Sequence, residues 1–170
     1  MQRFLTGFLA CVCLLAGCTK TADEALAAAR AEQAAGIEPL ELTPAQWRER
    51  LTPAQYQILR EAGTERAFTS PLLNEHRDGT FICAGCELPL FSSATKFKSG
   101  TGWPSFWEPI APGHVLNVRD LSWGMLRTEN VCARCGGHLG HVFDDGPAPT
   151  GQRYCMNGLA LTFVPSADDS

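Results

Sequence analysis

This sequence has no apolar run long enough to span a bilayer: the stretch from Phe4 to Ala16 falls short of the roughly 20 residues that a membrane helix needs. It has no basic stripe, and its net charge is −4. Phosphate contacts need clustered Lys and Arg, so the charge pattern argues against a general nucleic-acid binder. It has neither a glycine fingerprint nor strands alternating with long helices, which disfavours a Rossmann-type fold. It also lacks a repeat of useful length. The echo of Leu42-Thr-Pro-Ala-Gln46 in Leu51-Thr-Pro-Ala-Gln55 is too short and too local to build a solenoid. What is present is a chain of 170 residues, 45% hydrophobic, with room for one ordinary globular domain.

The first residues stand apart from that domain. Arg3 supplies a positive start and Phe4 to Ala16 an apolar centre, the pattern of an export signal. The segment closes on Leu15-Ala16-Gly17-Cys18, which resembles a bacterial lipobox and implies lipidation of Cys18; an ordinary cleavable signal is the alternative. Each buried methylene contributes about 0.8 kcal/mol, so several acyl chains hold a protein to a membrane where one holds it marginally. The expected organisation is a lipoprotein signal at 1–17, a lipidated tether, partly helical or disordered, at 18–40, a domain at 41–165 and a flexible tail at 166–170. The expected place is the bacterial cell envelope, lipid-anchored and facing the periplasm or the extracellular space.

Thr43 and Thr52 each precede a proline and stand three residues before a glutamine, so each predicts a capping box with proline at the first helical position. Two short helices follow, and Gly63 stands where the second stops. From about Asp78 the pattern becomes short apolar runs separated by Gly, Pro, Asn and Asp, which predicts a mainly β, antiparallel domain. Strands are expected near Thr80–Ile82, Leu88–Phe91, Val115–Val118, Gly124–Thr128, Leu139–Phe143, Gln152–Met156 and Leu159–Val164.

Of 8 cysteines, Cys11, Cys13 and Cys18 belong to the signal. Cys83 with Cys86 and Cys132 with Cys135 form two Cys-x-x-Cys pairs, the four thiolates of a tetrahedral structural zinc site. In an oxidising compartment the same residues can instead form disulfides, or one pair a redox-active dithiol. Zinc is the preferred reading, because apparent zinc-site energies of roughly 10–16 kcal/mol exceed the roughly 2–4 kcal/mol of a disulfide.

Cys155 is left over. A lone cysteine is most often a small buried hydrophobe. In an extended segment, however, Arg153, Cys155 and Asn157 alternate onto one face, and a fixed positive charge favours the nucleophilic thiolate. His138 and His141 precede it, and the segment Gly102-Trp103-Pro104-Ser105-Phe106 offers a pocket wall with Trp103 as its flat apolar face; Phe106 and Phe143 are candidates to extend that wall, with plain core packing, the usual place of buried aromatics, the preferred reading of both. Residues three apart on a regular strand face opposite ways, so cooperation between the two histidines requires a bend or bulge at Gly140. A hydrolytic metal site built on the histidines and Asp144 or Asp145 is the competing arrangement, and it leaves Cys155 unexplained.

The blocks Gly102-Trp103-Pro104-Ser105-Phe106, His138-Leu-Gly-His141-Val-Phe143, Asp145-Gly-Pro-Ala-Pro-Thr-Gly151 and Arg153-Tyr-Cys155-Met-Asn157 resemble the signature blocks of the methionine-R-sulfoxide reductases, in order and from about Leu42 to Val164. The resemblance implies two antiparallel sheets in a β-tent, a structural zinc on the four paired cysteines, and a site lined by His138, His141, Asn157 and Trp103. It implies reduction of methionine (R)-sulfoxide in proteins or peptides through a Cys155 sulfenic acid, with His141 as proton donor. Many relatives carry a resolving cysteine where this chain has Thr101, so turnover is expected to need an external thiol, from a thioredoxin-like or small-thiol donor. The expectation of a different class is a non-catalytic, zinc-bearing surface lipoprotein that binds a partner, with Cys155 buried.

Overall fold

Two threonines open the helical part of the domain as their spacing predicts. Thr43 Oγ1 accepts the backbone N–H of Gln46 at 3.3 Å while Gln46 Oε1 accepts that of Thr43 at 2.9 Å. Thr52 and Gln55 repeat the arrangement at 3.2 and 3.1 Å. The helices they start are α2, Pro44–Arg50, and α3, Pro53–Glu61. The second stops one residue earlier than glycine chemistry suggests: Ala62 takes the left-handed conformation, with φ 50°, and the Gly63 N–H donates to the Gln57 carbonyl.

A computed structural model describes residues 22–33, 36–120 and 127–167. The export signal, Cys18 and residues 168–170 of the expected tail lie outside the described residues, as does most of the strand expected at Gly124–Thr128.

Among the described residues, nine strands form two antiparallel sheets: β1 Gly79–Cys83, β2 Pro89–Ser92, β3 Lys96–Phe97, β4 Ser105–Phe106, β5 Val115–Asp120, β6 Arg127–Cys132, β7 His138–Phe143, β8 Arg153–Met156 and β9 Leu161–Pro165. One sheet has the order β2-β1-β9 and the other β3-β4-β8-β7-β6-β5. The mainly β, two-sheet architecture is the expected one. Two differences are instructive. The strand expected to end at Thr128 instead runs on to Cys132, because its ladder with β5 continues from Asp120↔Arg127 to Val115↔Cys132. The two-residue strands β3 and β4 are too short for alternation to reveal, and pairing alone defines them.

The core lies between the sheets. Phe106 of β4 stacks on Phe91 of β2 with centroids 4.3 Å apart and meets Phe81 of β1 edge-on at 4.9 Å. Leu90, Leu116, Leu139 and Met156 complete it, all fully buried. Such aromatic pairs add about 0.5–1.5 kcal/mol beyond the area they bury.

Part of the segment expected to be a tether is a docked helix, α1, Ala22–Gln33. Ala29 is buried, and Arg30 donates from Nε to the Ala133 carbonyl and from Nη2 to the Arg134 carbonyl, each at 3.0 Å. Gln33 exchanges hydrogen bonds with the Asn117 backbone, donating at 3.2 Å and accepting at 2.9 Å. Alanine supplies the helix propensity, but these anchors come from residues far along the chain, so the helix had no local sign of a resting place. Among the described residues no helix is long and apolar enough to cross a membrane.

Candidate functional site

Antiparallel register sets four polar side chains in a row across the larger sheet. Ser105 of β4 pairs with Cys155 of β8, Cys155 with His141 of β7, and His141 with Glu129 of β6. Directly opposed residues share a face of the sheet with Cβ atoms about 4.5–5.5 Å apart, so the thiol has the imidazole on one side and the serine on the other. A cleft of about 190 Å³ opens over the row, lined by Thr64, Trp103, Arg127, Gly140, His141, Phe143, Cys155 and Asn157.

Cys155 is half-buried in that cleft. Burial pushes its thiol above the ordinary value, opposed by a hydrogen bond with Thr101, the charge of Arg153 and a hydrogen bond with Ser105. Thr101 Oγ1 stands 3.8 Å from Sγ and 2.9 Å from Ser99 Oγ, to which Ser105 Oγ also donates at 2.8 Å. Arg153 favours the thiolate, as its position on the strand suggested, but it does not overcome burial. Its guanidinium is committed to Asp145, donating from Nε at 2.8 Å and Nη2 at 2.9 Å, and it lies 4.4 Å over the Phe143 ring. The carboxylate shares the positive charge that the thiol would otherwise feel alone.

The bulge required between the histidines is present. Asn130 pairs with Gly140 and Val131 with His138, leaving Leu139 as the extra residue. The two rings consequently meet edge-on with centroids 5.5 Å apart. Gly140 is needed for a second reason: a Cβ there would lie 2.1 Å from the Cys155 carbonyl oxygen. His138 is 5% exposed, and its Nδ1 lies 2.6 Å from Glu129 Oε1, which fixes the ring's orientation.

Asn157 lines the cleft, yet its amide is largely a structural pin. Nδ2 donates to the Leu139 carbonyl at 3.1 Å and Oδ1 accepts the Glu65 N–H at 3.0 Å. Trp103 forms a wall, held by an Nε1 hydrogen bond to the Glu65 carbonyl at 3.1 Å. Phe106 is not a wall. It pairs with Tyr154 rather than Cys155, which turns it to the opposite face of the sheet and into the core, where it is 0% exposed. Phe143 borders the cleft instead.

Residues that sequence reasoning did not single out include Thr64, Glu65, Ser105, Arg127 and Glu129. Glu65 is buried, and its carboxylate accepts the N–H groups of Gly158 and Leu159 at 2.5 and 3.0 Å, capping the 3-10 turn that follows Asn157. Its partners lie more than ninety positions away, at separations of 93 and 94, and nothing local marks it. Ser105 and Glu129 become visible only once strand register is known.

The four paired cysteines converge elsewhere, at the ends of β1 and β6. Their sulfurs all lie within 4.8 Å of one another and all four residues are buried. Cys83 and Cys135 Sγ are 3.7 Å apart, Cys86 and Cys132 Sγ 3.4 Å. A zinc ion with bonds of about 2.3 Å places tetrahedral sulfurs about 3.8 Å apart, so the donor set fits that metal. Disulfides need sulfurs at about 2.05 Å, and all four cysteines are free. Arginines from α1, α2 and α3 donate to carbonyls of the two loops: Arg30 to Ala133 and Arg134, Arg50 to Gly85, and Arg60 to Cys135. Four thiolates around a dication leave net negative charge, which this collar of guanidinium groups complements. None of the four cysteines lines the Cys155 cleft.

A half-buried thiol opposite an imidazole, on a two-sheet frame with a separate four-cysteine cluster, defines a class of protein, and the comparison with known families agrees. The SelR domain matches residues 51–165, and the chain belongs to that family. Among its relatives is a protein named peptide methionine sulfoxide reductase MsrB from Agrobacterium fabrum, 60% identical over 121 residues, which are 71% of this chain and 90% of that one. Proteins of the same name from Thiobacillus denitrificans and Pseudomonas entomophila are 57% and 52% identical, over 72% and 76% of this chain and 93% and 98% of theirs.

Proposed function

We propose that this protein is a peptide-methionine (R)-sulfoxide reductase that repairs oxidised proteins. The observation that carries the reading is the register of Cys155 against His141 at the floor of an open cleft. The kinship with proteins named peptide methionine sulfoxide reductase MsrB supports the reaction, and the resemblance of the signature blocks to the methionine-R-sulfoxide reductases supports its handedness.

The Cys155 thiolate attacks the sulfoxide sulfur, and His141 delivers a proton to the sulfoxide oxygen. The protonated oxygen then passes to Cys155 Sγ: its bond to the substrate sulfur and the S–S bond made in the attack both break, and methionine departs with the electron pair. Methionine is reduced and the thiol is oxidised to a sulfenic acid. His138, held by Glu129, orients its neighbour; Trp103 and Phe143 give the methyl group an apolar rest; Asn157 keeps β7 and β8 together beneath it. Thr101 stands beside the sulfur and has no thiol to resolve the sulfenic acid. An external thiol, from a thioredoxin-like or small-thiol donor, therefore condenses with it and releases water. A second donor thiol displaces the mixed disulfide and regenerates Cys155.

Zinc on Cys83, Cys86, Cys132 and Cys135 supplies a structural tie between the two sheets and takes no part in these steps. Lipidation at Cys18 anchors the protein in the bacterial envelope, facing the periplasm or the exterior.

Separate R and S epimers of a methionine-sulfoxide peptide, offered with several thiol donors in turn, test the reading. Only the R epimer should be consumed, and Cys155→Ser should lower the rate at least a thousandfold, into the background (about 10²–10⁴-fold is typical for a single proton-transfer group, and the nucleophile is worth more). Undiminished turnover by Cys155→Ser would sink it.

A further inference from the structure

Phe68 combines two costs at one residue. It is 70% exposed, and its backbone has φ 66°, a conformation that aromatic residues rarely adopt. The position is tightly held. Its N–H donates to the Gly102 carbonyl at 2.7 Å, and a Cβ on Gly102 would come within 2.9 Å of the Phe68 ring. The ring thus rests on the glycine that precedes Trp103. Together Phe68, Leu73, Phe97, Trp103 and Pro104 line a groove of about 210 Å³ whose titratable groups are His76 and Lys98.

This groove adjoins the Cys155 cleft. Trp103 is a wall of both, and one short segment borders both, with Thr64 at the cleft and Phe68 at the groove. The Glu65 carbonyl between them holds the shared indole in place. A strained, exposed aromatic ring at the mouth of a reactive site has a use if something apolar covers it.

We propose that the groove is a subsite for the protein substrate, taking an apolar side chain that flanks the methionine sulfoxide in an extended, locally unfolded segment. This rests on the reading of the Cys155 cleft as the reductase site. Alternate side chains of an extended chain point the same way, about 7 Å apart, which suits two recesses divided by one indole. Methionine is mostly a buried residue in folded proteins, so the sequence beside it is commonly apolar. Access to such a methionine requires the segment to be unfolded, and the reductase then meets an apolar strand rather than a polar surface.

The test uses the full chain, three peptides with Phe, Gly or Asp two positions from methionine (R)-sulfoxide, on either side, and N-acetylmethionine (R)-sulfoxide amide as a substrate too small to reach the groove. The Phe peptide should show a KM lower than the Gly peptide by on the order of tenfold. Phe68→Ala should erase that difference without changing kcat, Phe68→Leu should retain most of it, and the amide should respond to neither. Three results overturn the proposal: equal KM values for the Phe and Gly peptides, preference for Asp, or a Phe68→Ala effect seen only in saturation by the thiol donor, which would assign the groove to the donor. Failure of the unmodified chain to reduce the amide is a separate outcome, which removes the reductase reading itself.

Discussion

Cys155 is set between burial, which raises its thiol, and three groups that lower it: Thr101, Arg153 and Ser105. A thiol kept above its ordinary value is protonated at rest, so its rate of alkylation should climb with pH through neutrality without levelling off. The brake on Arg153 is Asp145, whose own carboxyl is held below the usual carboxylate range by that guanidinium. Asp145→Asn should therefore let more of the positive charge act on the sulfur. Asp145 is exposed and solvent screens the pair, so the expected gain is about two- to fivefold in the rate of Cys155 alkylation at pH 7. A slower reaction would show that the carboxylate's hold on the guanidinium's position outweighs its charge.

At the scale of elements, the site depends on β7 meeting β8 where Gly140 carries no side chain. Gly140 is the point of contact, because its missing Cβ leaves room for the Cys155 carbonyl. Gly140→Ala should force the strands apart, lowering stability by about 1–3 kcal/mol in denaturant unfolding. It should also carry His141 away from Cys155, so that kcat falls by more than tenfold even where the variant is folded. A folded variant with full activity would mean that the His141–Cys155 register is not what matters. The capping boxes of α2 and α3, the alternation of the main strands and the need for a bulge at Gly140 were all legible in the sequence, since each follows from residues within a turn or a pleat of one another. The two-residue strands were not, because nothing periodic fits in so short a span. Apolar character alone left Phe106 between pocket wall and core, and only its register with Tyr154 decided which side of the sheet it faces.

For the whole molecule, the four-cysteine cluster is the junction of α1, α2 and α3 with the two described sheets. It joins the end of β1 in one sheet to the end of β6 in the other, and the arginine collar from α1, α2 and α3 closes over it. Metal analysis of the purified protein should find one zinc per chain. Its removal by a strong chelator should lower the melting temperature by more than about 10 °C, since site energies of roughly 10–16 kcal/mol exceed the whole stability of an ordinary domain. An unchanged melting curve after complete zinc loss would show that the thiols and arginines suffice. The sequence by itself determined the classes of element, the cysteine pairs and the lone thiol with its two histidines, because helix caps, pleats and ligand spacings act over a few residues. Tertiary structure alone decided that Ser105, Cys155, His141 and Glu129 form one row, that Asp145 shares the charge of Arg153, that Glu65 caps the turn beyond Asn157, and that α1 is docked. Those contacts join residues whose separation along the chain carries no local signature, and only strand register and the closing of the two sheets bring them within reach.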